Sequence, residues 1–356
     1  MVKFKIGKKN ISEKNQTYFI ADIAANHDGS LSKAKELIYL CAEAGADAAK
    51  FQHFSAETIV SDYGFKSLGS KFSHQKKWKK SVFQVYKDAS INLKWTSELK
   101  KTCKKAGIDF FSSPYSKYMV DHLDPYVPAY KIGSGDITWL DILSYIAKKN
   151  KPVIIASGAS NFHEVVDAIN TIKKLNKKIV LMQCNTNYTA SNKNNLKFIN
   201  LNVLKKYKKT FPNVILGLSD HTFGHATVLG AYMLGARVIE KHFTDNNNRV
   251  GPDHKFSMNP ITWRNMVDAT RELEISMGDG QKKIERNERE TVVLQRRSIR
   301  VKKNLKKNHI IRQEDLIFLR PSPRDSLPLK NHKQIIGKKV KRNIQSGDYI
   351  KKSDLK

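Results

Sequence analysis

Val214–Phe243 reads VILGLSDHTFGHATVLGAYMLGARVIEKHF and contains two short apolar runs separated by a helix-like segment. The runs, Val214–Asp220 and Arg237–Phe243, are rich in β-branched and apolar residues and end in polar ones. Runs of this kind, without strict alternation, are typical of parallel strands covered on both faces. The intervening Thr222–Leu234 has the composition of a helix, so the stretch predicts one strand–helix–strand unit.

The same unit recurs through about 260 residues of the chain, with helix-like segments such as Leu31–Gly45 and Asn161–Leu175 between the runs. Six further runs precede the two quoted above: Tyr18–Ala25, Ala48–Phe54, Asp109–Pro114, Ala129–Ser134, Pro152–Ser157 and Ile179–Asn185. Eight such units predict an α/β fold, a (β/α)8 TIM barrel over residues 1–280. A doubly wound open sheet is the alternative fold, but the turn after the first run reads ANHDG instead of GxGxxG.

Two segments depart from this repeating pattern. Residues 55–93 form a longer polar and aromatic insertion, which we interpret as a lid over the barrel mouth. Residues 281–294 are charged and predict a linker, after which residues 295–356 predict a small β-rich domain. Within that tail, NLKKNHIIRQEDL (Asn304–Leu316) and NIQSGDYIKKSDL (Asn343–Leu355) form a near-repeat, which indicates internal pseudo-symmetry.

The charge is strongly positive, with 64 basic and 33 acidic residues giving +31. The basic residues are scattered in small groups without interleaved aromatics, which favours a solvated surface over a nucleic-acid or membrane interface. No apolar run approaches the ~18 residues of a membrane span. The three cysteines are far apart and odd in number, which excludes a disulfide framework. We therefore expect a cytoplasmic protein with no nucleic-acid partner and no membrane partner.

Polar residues collect where the predicted strands end, and in a (β/α)8 barrel these ends form the functional face. The candidates on or near these ends are Asp22, Lys50, Gln52, Ser113, Lys131, Ser134, Asp136, Tyr188, Ser219, His221, Glu240, His242 and Asp253. His221 and His242 close adjacent strands, so their imidazoles are candidate ligands of one divalent metal. The alternative is that each is a hydrogen-bonded core histidine.

Lys50 and Lys131 end two other predicted strands and supply cations. Together with nearby hydroxyls they suit a ligand that carries both phosphate and carboxylate groups. The hydroxyls belong to Ser113, Ser134 and Ser219. The alternative is that both lysines form salt bridges within the barrel.

At these residues the chain resembles the sialic acid synthase family. The matching stretches are IADIAANHDGSL, GADAAKFQ, FFSSPYS, PAYKIGSGD, LGLSDHT, EKHFTD and GPDHKFSM, followed in the tail by RRSI, LRP and IIGKKV. The resemblance runs from about Tyr18 to Leu355. It implies a TIM barrel followed by a C-terminal antifreeze-like (SAF) domain. It also implies a transferase of carbohydrate biosynthesis that condenses phosphoenolpyruvate with an N-acetylated hexosamine such as N-acetylmannosamine and releases phosphate.

The resemblance also implies roles for individual residues. His221 and His242 match ligands of Mn²⁺ or Mg²⁺, and Lys50 and Lys131 match contacts to phosphoenolpyruvate. The serines that match further phosphoenolpyruvate contacts are Ser113, Ser134 and Ser219, and the residues that match sugar contacts are Gln52, Tyr188 and Asp253. Arg320 matches an arginine that the SAF domain of a domain-swapped partner places over the sugar, which implies a homodimer.

The sequence departs from the family pattern at two carboxylates. Asp22 and Asp136 stand where the family usually has glutamate, and with Lys50 and Lys131 they are the candidate catalytic residues. The departures leave a second acceptor open, a 2,4-diacetamido-trideoxyhexose that gives a legionaminic- or pseudaminic-type acid. A non-catalytic basic binding protein is the hypothesis outside this class, but such a protein needs neither the histidine pair nor the lysine pair.

Overall fold

The structure is a computed structural model that describes residues 2–69, 75, 78–188 and 193–356. Contacts divide the chain into two units, Met1–Met277 and Gly278–Lys356. The insertion interpreted as a lid lies partly outside the described residues. Its described part contains three short helices.

The first unit is the predicted barrel. A short antiparallel hairpin, β1 (Phe4–Ile6) and β2 (Lys9–Ile11), precedes it. The barrel strands are β3 (Tyr18–Asp22), β4 (Ala48–His53), β5 (Asp109–Pro114), β6 (Tyr130–Ile132), β7 (Val153–Ala156), β8 (Ile179–Cys184), β9 (Ile215–Asp220) and β10 (Ala236–His242). All their pairings are parallel, in the order β5-β4-β3-β10-β9-β8-β7-β6, and β5 lies beside β6, so that the sheet is a nearly closed barrel. The (β/α)8 prediction is confirmed.

Helices connect the strands. They are α1 (Leu31–Glu43), α2 (Ala56–Ile59), α3 (Asp62–Ser67), α4 (Val82–Ala89), α5 (Thr96–Lys105), α6 (Lys117–Leu123), α7 (Leu140–Ala147), α8 (Phe162–Leu175), α9 (Val203–Thr210), α10 (Ala226–Met233) and α11 (Pro260–Ser276). The sequence signals explain their ends: the Ser30 side chain accepts a hydrogen bond from the Lys33 backbone N–H at 3.3 Å and caps α1. Gly45, with φ of +94°, follows the end of this helix.

Each barrel strand separates two apolar cores, because successive side chains point to opposite faces. Phe19 and Ala21 of β3 belong to the core between strands and helices, whereas Tyr18 and Ile20 belong to the barrel interior. This double burial explains why the runs are apolar without strict alternation. The β1–β2 hairpin adds Phe4, Ile6 and Ile11 to the interior cluster and covers the amino-terminal end of the barrel. This hairpin is not evident from the sequence, because its few apolar residues lie among lysines.

The second unit contains one antiparallel sheet, β11 (Ser298–Val301) and β12 (Leu316–Leu319). The segment expected as a linker contains α12 (Arg289–Gln295), whose residues TVVLQ support a helical turn better than the preceding glycines do. The unit has its own apolar core: Ile299, Val301, Leu305, Ile311, Leu316, Leu327, Ile335, Val340, Ile344 and Ile350.

The near-repeat of the tail folds as a pseudo-symmetric pair. Leu305 and Ile344 donate backbone hydrogen bonds to each other's carbonyl oxygens at 2.8 and 2.9 Å. The two repeats also end alike, since Asp315 and Asp354 each accept from a backbone N–H three residues earlier at 2.9 Å. Equivalent residues therefore make equivalent bonds, as the sequence repeat indicates.

Across the described ranges, no helix has the length and apolar character that crossing a bilayer requires.

Asp315 gives a test of the second unit's stability. Its side chain is fully buried, and although burial opposes ionisation, hydrogen bonds from His309, the Arg312 backbone and Lys303 lower its pKa to about 2. The folded pKa lies below the unfolded value of about 3.9, so the stabilisation is complete above about pH 4 and is lost as the pH falls towards 2. Asp315→Asn should lower the free energy of unfolding of this unit by about 2 kcal/mol at neutral pH.

Hydrogen exchange of peptides from residues 296–356 measures this change. The neighbouring exposed carboxylate provides the control, because Glu314→Gln removes only a surface pair with Arg312 and should change the same free energy by less than about 0.5 kcal/mol. Equal effects of the two substitutions would contradict the prediction.

Candidate functional site

The carboxyl ends of the barrel strands bring the predicted polar residues together. Side chains alternate along β10, so Val238 lies in the barrel interior while Ile239 packs against the helices. The same alternation turns Glu240 and His242 inward. The register of β10 and β9 sets Glu240 beside Ser219. The register of β3 and β4 likewise sets Asp22 beside Lys50. A two-residue period and a parallel register thus build one polar layer above the apolar interior.

Four buried ionic side chains form a row of alternating charge across this layer. The Lys50 Nζ lies 2.7 Å from the Asp22 Oδ2 and 3.9 Å from the Glu240 Oε2. The Lys131 Nζ lies 3.3 Å from the Glu240 Oε1. Both lysine side chains are 2% exposed. Each cation therefore has a carboxylate partner, which offsets the cost of removing it from water.

The pKa values of two groups follow from this environment. Burial opposes the charge of Lys50, but the carboxylates of Asp22 and Glu240 outweigh it and raise the Lys50 pKa above its usual value. Lys50 is therefore a fixed cation at neutral pH. Burial raises the pKa of Asp136 to about 6, with the Lys131 charge opposing the rise. Asp136 can therefore take up or release a proton near neutrality.

The three predicted serines lie around the same row. Lys50 donates to the Ser113 Oγ at 3.5 Å, and the Ser219 hydroxyl donates to the Glu240 Oε1 at 3.2 Å. The Ser134 Oγ accepts from the backbone N–H of Gly158 at 3.1 Å. Cations and hydroxyls of this layer can bind an anionic ligand with several oxygens.

The two predicted metal-binding histidines also lie together, with ring centroids 5.4 Å apart. The His221 Nδ1 lies 3.1 Å from the carbonyl oxygen of Asn185, which only accepts hydrogen bonds, so Nδ1 carries the proton and Nε2 the lone pair. The buried His242 Nδ1 has no hydrogen-bond partner among the described residues.

Burial, and then the neighbouring His221 and Lys50, lower the pKa of His242 well below its usual value. Burial opposes the protonation of His221, but the Cys184 side chain and then Asp220 outweigh it and raise the pKa of His221 above its usual value. Two adjacent imidazoles fit a divalent cation, which would bind them in their neutral form.

These histidines have few companions as metal ligands. Within the described parts of the chain, no group of three or more His, Cys, Asp or Glu side chains is arranged to hold a metal ion. The Asp22 Oδ2, 3.7 Å from the His242 Nε2, is already bound by Lys50. A bound metal would therefore keep most of its coordination positions for water or a substrate.

A cavity of about 100 Å³ opens beside the histidines. Its polar wall includes Gln52, Tyr188, His242 and Asp253, and burial, followed by the Asp22 charge, raises the pKa of Asp253 to about 6. Its apolar wall includes Phe54, Trp78, Val85, Tyr86 and Ala89. Three of these belong to α4, so the insertion interpreted as a lid contributes one side of the cavity.

A second buried ion pair lies on the opposite faces of the same strands. Lys241 of β10 binds the Asp220 carboxylate of β9 and donates to the Thr222 carbonyl oxygen at 2.6 Å. The hydroxyls of Thr222 and Thr227 donate to the same carboxylate at 2.8 and 2.7 Å. This network ties together the two strand ends that carry the histidines.

The barrel candidates named from the sequence thus converge on one layer or on the cavity beside it. Arg320 differs, since it lies in the second unit, exposed and directly after β12. Glu240 was predicted to lie at a strand end but without a role, although it contacts both lysines. The signal was its spacing of two from His242, which puts both side chains on one face of β10.

Comparisons with known proteins agree with this architecture. A model of the NeuB family matches residues 37–282, and a model of the SAF domain matches residues 296–356. The chain is 34% identical to an N,N'-diacetyllegionaminic acid synthase of Campylobacter jejuni, over 94% of this chain and 99% of the relative. It is 32% identical to a pseudaminic acid synthase of Campylobacter jejuni, over 99% of this chain and 100% of the relative. The crystal structure of N-acetylneuraminic acid (sialic acid) synthetase from Leptospira borgpetersenii is similar, with 27% identity, a TM-score of 0.69, and coverage of 82% of this chain and 95% of that one.

Gly158 provides a test of the packing beneath the site. A Cβ built on Gly158 would overlap the Thr186 Oγ1 and lie 2.8 Å from the Ser134 Oγ, so Gly158→Ala must displace both hydroxyls. We expect it to lower the free energy of unfolding by about 1–3 kcal/mol in a urea titration. Gly135→Ala is the matched control, because a Cβ at Gly135 meets no atom within 4 Å. It should leave stability unchanged or raise it by up to about 1 kcal/mol. A neutral effect of Gly158→Ala would contradict the described packing.

Proposed function

The chain belongs to the NeuB family, and on that premise we propose that it is a nonulosonic acid synthase. This transferase condenses phosphoenolpyruvate with the open-chain aldehyde of an N-acetylated hexosamine. The C3 of phosphoenolpyruvate bonds to the aldehyde carbon, water adds at C2, and the C2–O bond to phosphate breaks. The observation that carries the proposal is the pair of buried lysines beside two adjacent histidines, because anion binding and metal binding are then available in one layer.

In this proposal the lysines bind phosphoenolpyruvate. Lys50 and Lys131 lie in different strands and present two buried ammonium groups, which match a ligand with a phosphate at one end and a carboxylate at the other. The serine hydroxyls bind the remaining oxygens: Ser113, Ser134 and Ser219. Because the strands hold these groups before the substrate arrives, little ordering is needed on binding.

The histidines would hold the cofactor, Mn²⁺ or Mg²⁺. A divalent cation at this position would polarise the aldehyde oxygen. Asn185 orients the ring of His221 through its carbonyl oxygen, and burial keeps His242 neutral. Asp22 and Asp136 are the carboxylates proposed to act in proton movement, and the Asp136 pKa of about 6 suits that role near neutral pH.

The cavity beside the histidines is proposed to take the sugar. Gln52, Tyr188 and Asp253 line it and would contact hydroxyl and amide groups. Two acceptors are candidates, an N-acetylhexosamine such as N-acetylmannosamine and a 2,4-diacetamido-trideoxyhexose. The legionaminic and pseudaminic acid synthases named above match nearly the whole chain at 32–34% identity, which supports the second acceptor as a candidate equal to the first.

The proposal extends to the assembly and its location. Arg320 of one chain would complete the sugar site of a partner barrel in a domain-swapped homodimer of the cytoplasm. A guanidinium over the amide of the sugar would orient it and exclude water.

The proposed function is tested by incubating the purified protein with phosphoenolpyruvate, Mn²⁺ and a panel of amino sugars. We expect phosphate release that requires both metal and sugar, and a product mass that equals phosphoenolpyruvate plus sugar plus water minus phosphoric acid.

In the same assay, Lys131→Met should raise the KM for phosphoenolpyruvate about 10–100-fold and change the sugar KM less. The exposed Lys174→Met is the control and should leave both constants unchanged. Absence of phosphate release with every sugar would overturn the proposal.

The proposed assembly is tested by complementation. His221→Ala and Arg320→Ala should each be nearly inactive as homodimers, because every site lacks one group. After mixed refolding, activity should return, since one site of each swapped heterodimer keeps both residues. Native mass spectrometry measures the heterodimers. Heterodimers without recovered activity would show that Arg320 acts within its own chain or is not needed.

A further inference from the structure

Glu240 occupies an unusual position between the two site lysines. Its Oε1 lies 3.3 Å from the Lys131 Nζ and accepts from the Ser219 hydroxyl at 3.2 Å. Its Oε2 lies 3.9 Å from the Lys50 Nζ and, among the described residues, makes no hydrogen bond. The side chain is 6% exposed. Glu240 is therefore a buried carboxylate with one oxygen committed to Lys131 and Ser219 and the other unsatisfied.

The two lysines depend on this carboxylate to different degrees. Lys50 also binds Asp22 at 2.7 Å, so it keeps a carboxylate partner without Glu240. Over the described residues, Glu240 is the sole carboxylate within 4 Å of the Lys131 Nζ. The same ammonium also donates a hydrogen bond to the carbonyl oxygen of Ile132 at 3.0 Å. Among the described residues, Glu240 is thus the carboxylate that contacts Lys131, whose charge also acts on the more distant Asp136.

An anionic substrate at Lys131 must share this ammonium with Glu240. Both anions would lie within a few ångströms of each other in a buried layer, where like charges repel strongly. The carboxylate that aligns the ammonium before binding therefore opposes the substrate once it binds. A residue that only stabilised the fold would not lower the affinity for the substrate in this way.

We propose that Glu240 is a positioning residue that aligns Lys131 and Ser219 for phosphoenolpyruvate and whose negative charge limits the affinity for this substrate. The inference rests on the proposed function and adds a role for a residue that the resemblance left without one. It predicts that neutralising this buried side chain tightens the binding of phosphoenolpyruvate and at the same time destabilises the ligand-free protein.

The experiment compares Glu240→Gln, which removes the charge and keeps the shape, with Glu240→Asp, which keeps the charge. Calorimetric titration with phosphoenolpyruvate alone gives the Kd, in EDTA and again with Mn²⁺. Glu240→Gln should lower this Kd on the order of tenfold in both conditions. Glu240→Asp should stay within about threefold of the unmodified protein. In EDTA without ligand, Glu240→Gln should also have a lower Tm, because Lys131 loses the carboxylate that contacts it. Phosphoenolpyruvate should raise that Tm more than it raises the Tm of the unmodified protein.

Steady-state kinetics separate the two proposed effects of Glu240, the alignment of Lys131 and Ser219 and the repulsion of the substrate. Glu240→Gln should lower the KM for phosphoenolpyruvate, because the opposing negative charge is gone. It should also lower kcat, because Lys131 and Ser219 lose the carboxylate that aligns them. Glu240→Ala is a second neutral variant and applies the same binding test if the glutamine variant does not fold.

The possible outcomes separate the two proposals. A folded neutral variant that binds phosphoenolpyruvate with unchanged or higher Kd overturns the inference and leaves the proposed function standing. Equal tightening by Glu240→Asp also overturns it, because the charge is then irrelevant. If the unmodified protein, loaded with Mn²⁺, neither binds phosphoenolpyruvate nor releases phosphate, the proposed function fails and the inference fails with it.

Discussion

The row of alternating charges Asp22–Lys50–Glu240–Lys131 is the interaction on which the site depends. Two ammonium groups at 2% exposure cannot remain charged in a barrel interior unless carboxylates lie beside them. The carboxylates in turn are placed by the strands and cannot retreat to solvent. This mutual dependence fixes the lysines before any ligand is present. It also keeps the polar layer close to neutral, although the chain as a whole carries +31.

The strand geometry makes this row possible. Parallel pairing sets Asp22 beside Lys50 and Glu240 beside Ser219, and the two-residue period carries the same faces up to the histidine pair. The residues between them serve the outer face, where Lys241 and Asp220 form a second buried pair. Each strand end of β9 and β10 is thus held from both sides. The outer pair of Lys241 and Asp220 thus helps to position the site residues of these strands without contacting the site.

The second unit is built from a repeated sequence pattern. Its near-repeat places Leu305 against Ile344 and gives both repeats an aspartate-capped turn, so one short pattern used twice supplies half of the buried residues of a small core. The low pKa of Asp315 reflects how tightly this turn binds its carboxylate. The unit can therefore be stable with few apolar residues. The NeuB family and SAF domain matches follow the same division of the chain.

The sequence by itself determined the fold, because runs such as Val214–Asp220 must be buried on both faces and recur eight times with helices between them. It also determined that the polar strand ends converge, since all carboxyl ends of a (β/α)8 barrel lie on one face. The near-repeat of the tail was equally visible, because equivalent residues make equivalent bonds.

The hairpin that covers the other end of the barrel was not visible, because Phe4, Ile6 and Ile11 become apolar partners only of side chains distant in the chain. Only the tertiary structure decided that Glu240 stands between Lys50 and Lys131, since a partner within 4 Å on another strand depends on register and barrel closure. Local sequence states which residue types are present, whereas long-range packing decides which charges meet.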